Sequence, residues 1–247
     1  ARWKPTEDGL DRLVKCLVAA VDGFKRKLAA EKAEAERKAR EEAMAAKRAA
    51  EEAARLASEA DASAILAVYA PFVRETAITF EEAVPSEAEF ASRVRDTLVY
   101  APWLVVEEGD EVLGYAYGSR FRPRVAYRWT IETTVYIRPA AQGRGLGRAL
   151  YAALLGCLAA QGYRSATGGV ALPNDASIRL HEWAGFERAG VFRAAGFKFG
   201  AWRDVMWFQK MLREPARVPA ETLPIARATG LPEWRRAIEG GEVLIRR

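Results

Sequence analysis

The sequence predicts a mixed α/β domain preceded by a long helical extension. Three observations carry this: an Ala- and charge-rich run that ends near residue 54, an alternation of β-branched or aromatic runs with helical ones over residues 55–213, and two closing strand-like runs that read as an antiparallel pair. Half of the 247 residues are hydrophobic and 29% are charged. That suits one medium domain with extras, or two small domains, and excludes wholesale disorder.

Residues 1–54 read as helix. Leu10, Leu13, Val14, Leu17, Val18, Val21, Phe24 and Leu28 recur at three- and four-residue steps and mark one apolar face. Thr6 is a candidate N-cap without a full capping box, and Gly23 a candidate bend. From Glu31 to Ala54, ten of 24 residues are Ala, thirteen are charged, and Met44 is the one large apolar side chain. Glu34–Lys38 and Glu36–Arg40 are ordered for i,i+4 pairing. With nothing to bury, this stretch reads as a solvated spacer; an Ala-rich coiled coil that sets oligomeric state is the sharper alternative.

Beyond it, Arg55-Leu56-Ala57 reads as a short edge strand, and Asp61 is placed to cap a helix through Ile65, Val68 and Tyr69. Thr76–Phe80 is β-branched and aromatic. A Pro85-Ser86 turn and a helix over Glu87–Tyr100 follow. Trp103–Glu107 and Val112–Ser119 read as strands around a Glu108-Gly109-Asp110 turn, and Arg128–Ile137 as a long strand. A helix from Leu146 to Ala160, a strand over Ser165–Val170, a helix over Asp175–Ala184 and strands over Ala189–Phe199 and Trp202–Leu212 complete the domain. Residues 214–247 hold four of the eleven prolines and read as a loose appendage.

Composition narrows the function classes. Residues 1–54 carry 13 basic and 11 acidic groups, residues 55–213 carry 19 and 17, and residues 214–247 carry 6 and 5. A nucleic-acid binder concentrates its cations in a patch or arm, so this even spread argues against that class. Leu10 to Leu28 is the most apolar segment, but Asp11, Arg12, Lys15, Asp22 and Lys25 interrupt it and no small-residue cleavage pattern follows. It predicts neither a membrane span, which needs roughly 18–20 apolar residues, nor a signal peptide. Cys16 and Cys157 are too few for a disulfide framework and suit a reducing compartment, and a single histidine leaves no His-based metal cluster. A soluble, cytoplasmic protein is expected, with no membrane, nucleic-acid or metal partner. The chain opens on Ala1 without a Met, which leaves its natural start open.

The segment richest in chemistry is Val135-Tyr136-Ile137-Arg138-Pro139-Ala140-Ala141-Gln142-Gly143-Arg144-Gly145-Leu146-Gly147-Arg148. A strand enters a glycine-rich turn, and an amphipathic helix leaves through Leu146, Leu150, Leu154 and Leu158. Glycines let a ligand approach the backbone, and free N–H groups at a helix start attract phosphate. A P-loop would end in Gly-Lys-Ser/Thr, and there is no lysine here. A dinucleotide fingerprint would place its third glycine at Arg148 and an acid about twenty residues on, where Ser165-Ala166-Thr167-Gly168-Gly169 stands. The pattern Gln/Arg-x-x-Gly-x-Gly/Ala is met by Gln142, Gly145 and Gly147. A plain turn is the bland alternative.

This strand–loop–helix unit resembles the acetyl-CoA pyrophosphate loop of the GNAT superfamily of N-acetyltransferases. Leu172-Pro173-Asn174-Asp175-Ala176-Ser177-Ile178-Arg179-Leu180-His181-Glu182, followed by Gly185-Phe186, resembles that superfamily's second cofactor segment. Glu75–Phe80, Ala126–Glu132, and Arg193–Lys198 with Trp202 and Asp204 are similar to the phosphinothricin N-acetyltransferase family. The resemblance runs from about residue 55 to 213 and leaves out both the helix and the tail.

The resemblance implies an α/β (α+β) GNAT-like fold with a central mixed, mostly antiparallel sheet flanked by helices. It implies a homodimer that moves acetyl from acetyl-CoA to the primary amine of a small amino-acid-like substrate, such as phosphinothricin or methionine sulfoximine. The cofactor residues it implies are Val135, Tyr136, Ile137, Gln142, Gly143, Arg144, Gly145, Leu146, Gly147, Arg148 and Asn174. Phe80, Arg122, Arg124 and Tyr127 would shape the substrate site, with Arg120 a further cation nearby. An ammonium cannot attack a thioester, so a base must first take its proton; the family pattern assigns acid/base roles to Glu132 and His181.

Each assignment has a bland counterpart. A lone histidine is more often structural than catalytic. Glu132 can be a surface-strand residue, although a buried strand makes a charge costly unless it is used or paired. Arg120, Arg122 and Arg124 around Pro123 can form a rigid solvated turn. Cys157 lies well along its helix with no base spaced to activate it, so packing is preferred to an acyl-enzyme. Trp129, Trp183, Trp202 and Trp207 read as core or dimer contacts. For the whole chain, a non-enzymatic acyl-CoA-binding scaffold that recruits a partner through residues 1–54 competes with the enzyme. The joint presence of cofactor loop, base and arginines favours the enzyme, and within that class a different amine (another amino acid, a polyamine, an antibiotic) stays open.

Overall fold

The computed structural model describes residues 7–51, 54–214 and 216–245. The chain divides into two compact units between Arg48 and Ala49. In the first, helix α1 (Glu7–Glu51) runs through Gly23 without interruption. Val14, Leu17, Val18, Val21, Phe24 and Leu28 along it are exposed. Thr6, and the side chains of Leu10, Leu13 and Met44, lie outside the described residues. Among the described residues, no helix is long and apolar enough to cross a membrane.

The second unit is built on one seven-stranded sheet, β1 (Ala54–Leu56), β2 (Trp103–Glu108), β3 (Glu111–Arg120), β4 (Thr130–Ile137), β5 (Ser165–Ala171), β6 (Glu187–Lys198) and β7 (Ala201–Met211), in the order β1-β2-β3-β4-β5-β7-β6. All neighbours are antiparallel except β4 and β5, so the mixed, mostly antiparallel expectation holds. Its helices are α2 (Ala62–Glu75), α3 (Glu87–Leu98), α4 (Leu146–Gln161), α5 (Asp175–Trp183), α6 (Ile225–Ala228) and α7 (Pro232–Glu242). Successive strand residues face opposite sides, and both sides are covered. Trp103, Val105 and Tyr115 pack on Ile65, Val68, Phe90 and Val94 of α2 and α3. Leu104, Val106, Ala116 and Ile131 pack on Leu146, Leu150, Leu154 and Leu158 of α4.

The pairing that positions the site is the parallel one. Only Thr130, Ile131 and Glu132 pair with Ser165, Ala166 and Thr167. Beyond Glu132, β4 continues to Ile137 and β5 to Ala171 without pairing with each other, so the sheet opens into a wedge.

Local chemistry explains where the structure departs from the sequence expectations. Asp61 does not cap α2 with its side chain. Its carboxylate accepts from Arg55 at 2.6 and 2.9 Å and from the Ser58 backbone at 2.7 Å, which holds it at about 2. Thr76–Phe80, β-branched and aromatic in composition, forms a loop whose hydroxyls satisfy the backbone locally: Thr76 Oγ1 donates to Phe72 O at 2.7 Å and accepts from Ile78 N at 3.3 Å.

The tail is the larger correction. Instead of a loose appendage it docks, with Ile225, Ala228 and Trp234 packed around Cys157. Helix α7 lies so close to α4 that a Cβ on Gly156 would sit 2.6 Å from Ala237 Cβ. Gly156→Val is therefore expected to cost about 1–3 kcal/mol by overpacking, seen as a lowered thermal midpoint, with Gly156→Ala intermediate. An unchanged midpoint for both variants would contradict this docking.

Candidate active site

The expected cofactor loop forms the N-terminal edge of a groove of about 430 Å³. Gly143 and Gly145 adopt φ of 84° and 87°, a left-handed conformation open to glycine, and so bend the chain from β4 into the start of α4. A Cβ on Gly143 would meet nothing within 4 Å, so this backbone is open to a ligand. The first-turn N–H groups of α4 have no partners within the helix and carry its positive dipole end. Gln142 Nε2 donates to Ile137 O at 3.3 Å, tying the loop back to its strand.

Of the expected cofactor residues, Val135, Tyr136, Ile137, Gln142, Gly143, Gly145, Leu146, Gly147, Arg148 and Asn174 line this groove. Asn174 Oδ1 also accepts from Ser177 N at 3.2 Å and so caps α5. Arg144 is not on the groove wall; its guanidinium pairs with Glu108 at 3.1 Å. Arg148 stacks 5.0 Å over the Trp183 ring. Residues not anticipated here are Phe72, Ile78, Ala141, Ala176, Ser177, Arg179 and Leu180. Ala176, Ser177, Arg179 and Leu180 lie within the Leu172–Glu182 segment, on the helix that Asn174 caps. A bed of glycine backbone, a helix start, a strand edge and two arginines suits a phosphorylated, extended acyl carrier such as acetyl-CoA.

Glu132 sits at the mouth of the wedge, on the last paired position of β4. It is partly buried, and its carboxylate makes no hydrogen bond or salt bridge with any described residue. Desolvation pushes its carboxyl above the ordinary 4.5, while the positive charge of Arg122 pulls it back down. A carboxylate partly withdrawn from water and without a hydrogen-bond partner is disposed to accept a proton.

His181 lies elsewhere. It is 3% exposed, stacked 4.9 Å from Phe208 and edge-on to Phe186. Nδ1 is 2.8 Å from the Ser177 carbonyl, which can only accept, so Nδ1 carries the proton and Nε2 accepts from Tyr151 Oη at 2.9 Å. Thr133 Oγ1 lies 3.2 Å from that phenol, but its one proton also has the Thr167 carbonyl at 3.0 Å. Burial lowers the His181 pKa and so favours the neutral ring. The expectation that His181 itself exchanges a proton with the reactants does not fit this placement: both nitrogens are engaged inside the core. Gly168 makes room for it, since a Cβ there would collide with the imidazole. Tyr151, the hydroxyl that receives His181, was not singled out by any motif because it belongs to the apolar face of α4.

A second cavity, of about 230 Å³, is lined by the expected Arg122, Arg124 and Tyr127 together with Tyr100, Arg120, Arg128, Tyr163 and Thr222. Ile131, next to Glu132, forms part of its wall. Arg120 stacks 4.6 Å over Tyr100, and Arg122 4.5 Å over Phe121. Phe80 is on neither wall; its ring covers Gly196, where a Cβ would come within 2.6 Å of it. Trp207, read from sequence as packing, lies 6.4 Å from Phe121 and has a buried Nε1–H without a partner. Cys157 is fully buried, which pushes its thiol up to about 12 and makes it a packing residue rather than a nucleophile.

Residues 54–207 match the family model for an acetyltransferase (GNAT) domain. The chain is 42% identical over 154 residues to a phosphinothricin N-acetyltransferase from Alcaligenes faecalis, covering 62% of this chain and 78% of that protein. It is 36% identical over 157 residues to an L-methionine sulfoximine/L-methionine sulfone acetyltransferase from Salmonella typhimurium, covering 63% and 92%. Among solved structures, a GNAT superfamily phosphinothricin acetyltransferase from Sinorhizobium meliloti in complex with AcCoA superposes with a TM-score of 0.66 at 38% identity, covering 70% of this chain and 95% of that one.

Proposed function

The chain belongs to the GNAT acetyltransferase family and is an acetyl-CoA-dependent N-acetyltransferase; we propose that its acceptor is the primary amine of a small, anionic amino-acid-like molecule of the phosphinothricin or methionine sulfoximine type. The observation that carries the reading is Glu132: a desolvated, unpartnered carboxylate at the mouth of the β4–β5 wedge, under the influence of Arg122.

Acetyl-CoA supplies a thioester carbonyl and a thiolate leaving group. Backbone N–H groups of Gly143 to Gly147, with Arg148, would hold its pyrophosphate, and the unpaired edge of β4 at Val135 and Ile137, with Asn174, its pantetheine arm. Arg122 and Arg124 would hold the anionic end of the amine against Tyr127, while Phe80 stands off this wall, over Gly196. Glu132 takes the proton from the substrate ammonium, directly or through water, and leaves a neutral amine free to attack. We assign His181 a positioning role: through Tyr151 and the Ser177 carbonyl it ties α5, which carries the groove residues 176–180, to α4. The unit 55–213 acts as the acetyltransferase domain, in a cytoplasmic homodimer, with residues 1–54 as a helical spacer or coiled coil.

The test is CoA release from acetyl-CoA with a panel of phosphinothricin, methionine sulfoximine, methionine sulfone, common amino acids and polyamines. Turnover on the first three, abolished by Arg122→Ala with Arg124→Ala, is expected. Turnover confined to polyamines or uncharged amines would remove the anion-recognition argument. Acetyl-CoA binding without turnover on any amine would favour a scaffold.

A further inference from the structure

The tail beyond the family match reaches back to the loop that carries the substrate-facing arginines. That loop, 121–129, joins β3 to β4. At its end, Trp129 Nε1 donates to Ala220 O at 2.8 Å, and Arg128 makes a two-pronged contact with Glu221, Nε to Oε2 at 2.9 Å and Nη2 to Oε1 at 2.7 Å. The same guanidinium stacks 3.8 Å over the Trp129 ring and donates through Nη1 to Val125 O at 3.2 Å. Arg128 thus joins the tail to the short turn Val125–Tyr127, the element that presents Tyr127.

The tail end of this contact is fixed in turn. Leu223 N donates to Gln161 O at 2.8 Å, and the fully buried Gln161 side chain donates back to Leu223 O at 2.7 Å and to Tyr100 O at 3.0 Å. Two residues on, Ile225 enters the cluster around Cys157. Residues 220–223 are therefore a short strap with an anchored C-terminal side, and Thr222 of that strap lines the same cavity as Arg122 and Arg124. The family model ends at residue 207, so Arg128 and Trp129 lie within the matched domain and the strap lies beyond it.

We propose that the strap 220–223 sets the pose of the amine-recognition loop, with Glu221 as a positioning residue acting through Arg128. The inference rests on the reading of Arg122 and Arg124 as the anion-binding pair. Residues 220–223 do not line the acetyl-CoA groove, so loss of the strap changes amine recognition and leaves the cofactor's binding as it is.

The experiment compares full-length wild type, Glu221→Ala, Arg128→Ala, the double variant and Arg122→Ala, using phosphinothricin as the amine. An exposed ion pair of this kind is modest in worth, so Glu221→Ala is expected to raise the amine KM roughly two- to five-fold with an unchanged KM for acetyl-CoA. Arg128→Ala, which also removes a cation from the cavity wall, should raise it at least as much, and the double variant should be no worse than Arg128→Ala alone. Amide hydrogen exchange over 121–128 should quicken in Glu221→Ala at an unchanged melting temperature. An amine KM equal to wild type in Glu221→Ala, with Arg122→Ala raising it, would overturn the strap and leave the recognition reading standing. Equal rises in both KM values with a lowered melting temperature would also overturn it, as general destabilisation. An unchanged KM in Arg122→Ala would overturn the recognition reading and the strap proposal with it.

Discussion

Replacing Glu132 by Gln is expected to slow acetyl transfer by about 10²- to 10⁴-fold, the usual contribution of a positioned base. Gln keeps the shape and cannot take the proton, so acetyl-CoA affinity and melting temperature should stay close to wild type. The pH profile separates this role from a structural one. In wild type, kcat/KM for the amine should fall as pH drops through the Glu132 pKa, because the protonated acid cannot act as base. Desolvation places that acid limb above the ordinary carboxylate value of 4.5. The positive charge of Arg122 stabilises the carboxylate and so lowers the pKa; Arg122→Ala must therefore move the limb to higher pH. A limb that stays in place in Arg122→Ala, or persists in Glu132→Gln, would assign the base elsewhere.

The second large effect is expected at Gly143, where φ is 84° and a Cβ would meet no atom within 4 Å. There is room for a side chain, and Asn and Asp tolerate the left-handed conformation best. Gly143→Asp and Gly143→Asn share a shape and differ in one charge, so comparing them isolates electrostatics. A carboxylate among N–H groups placed for pyrophosphate both occupies and repels. Two unit charges near 4 Å interact by about 4 kcal/mol at the effective dielectric of a protein surface, and exposure reduces this. Gly143→Asp should bind acetyl-CoA about 10- to 100-fold more weakly than Gly143→Asn by calorimetry, with the gap narrowing at high salt. Equal affinities for the two would move the pyrophosphate away from this loop.

How much was legible depended on how local each interaction is. The unbroken apolar run Trp103–Val106 and the regular leucine steps from Leu146 to Leu158 are local signals, and strand and helix stand where they point. The glycine loop was legible because backbone conformation is written into residue type. Partnerships across the chain were not. Arg144 looked like a phosphate ligand until Glu108, from the β2–β3 hairpin, appeared beside it. His181 belonged to a chemical motif, but its burial comes from Tyr151, Phe186 and Phe208, brought together only by folding. Thr76–Phe80 had strand composition, yet its hydroxyls serve the loop backbone. The tail shows a signal that was available and outweighed: its prolines suggested an appendage, while Ile225, Ala228, Leu231, Trp234 and Ile238 repeat at three- and four-residue steps and dock.

The central claim is direct transfer from acetyl-CoA to an amine with Glu132 as base. Its most direct test is a rapid-quench single turnover with acetyl-labelled acetyl-CoA and phosphinothricin, following label on CoA, on protein and on the amine. Label should pass from CoA to the amine with no protein-bound label at any time, and the step should slow in Glu132→Gln by the same factor as in steady state. Label appearing first on the protein, or the same transfer rate in Glu132→Gln, would contradict it.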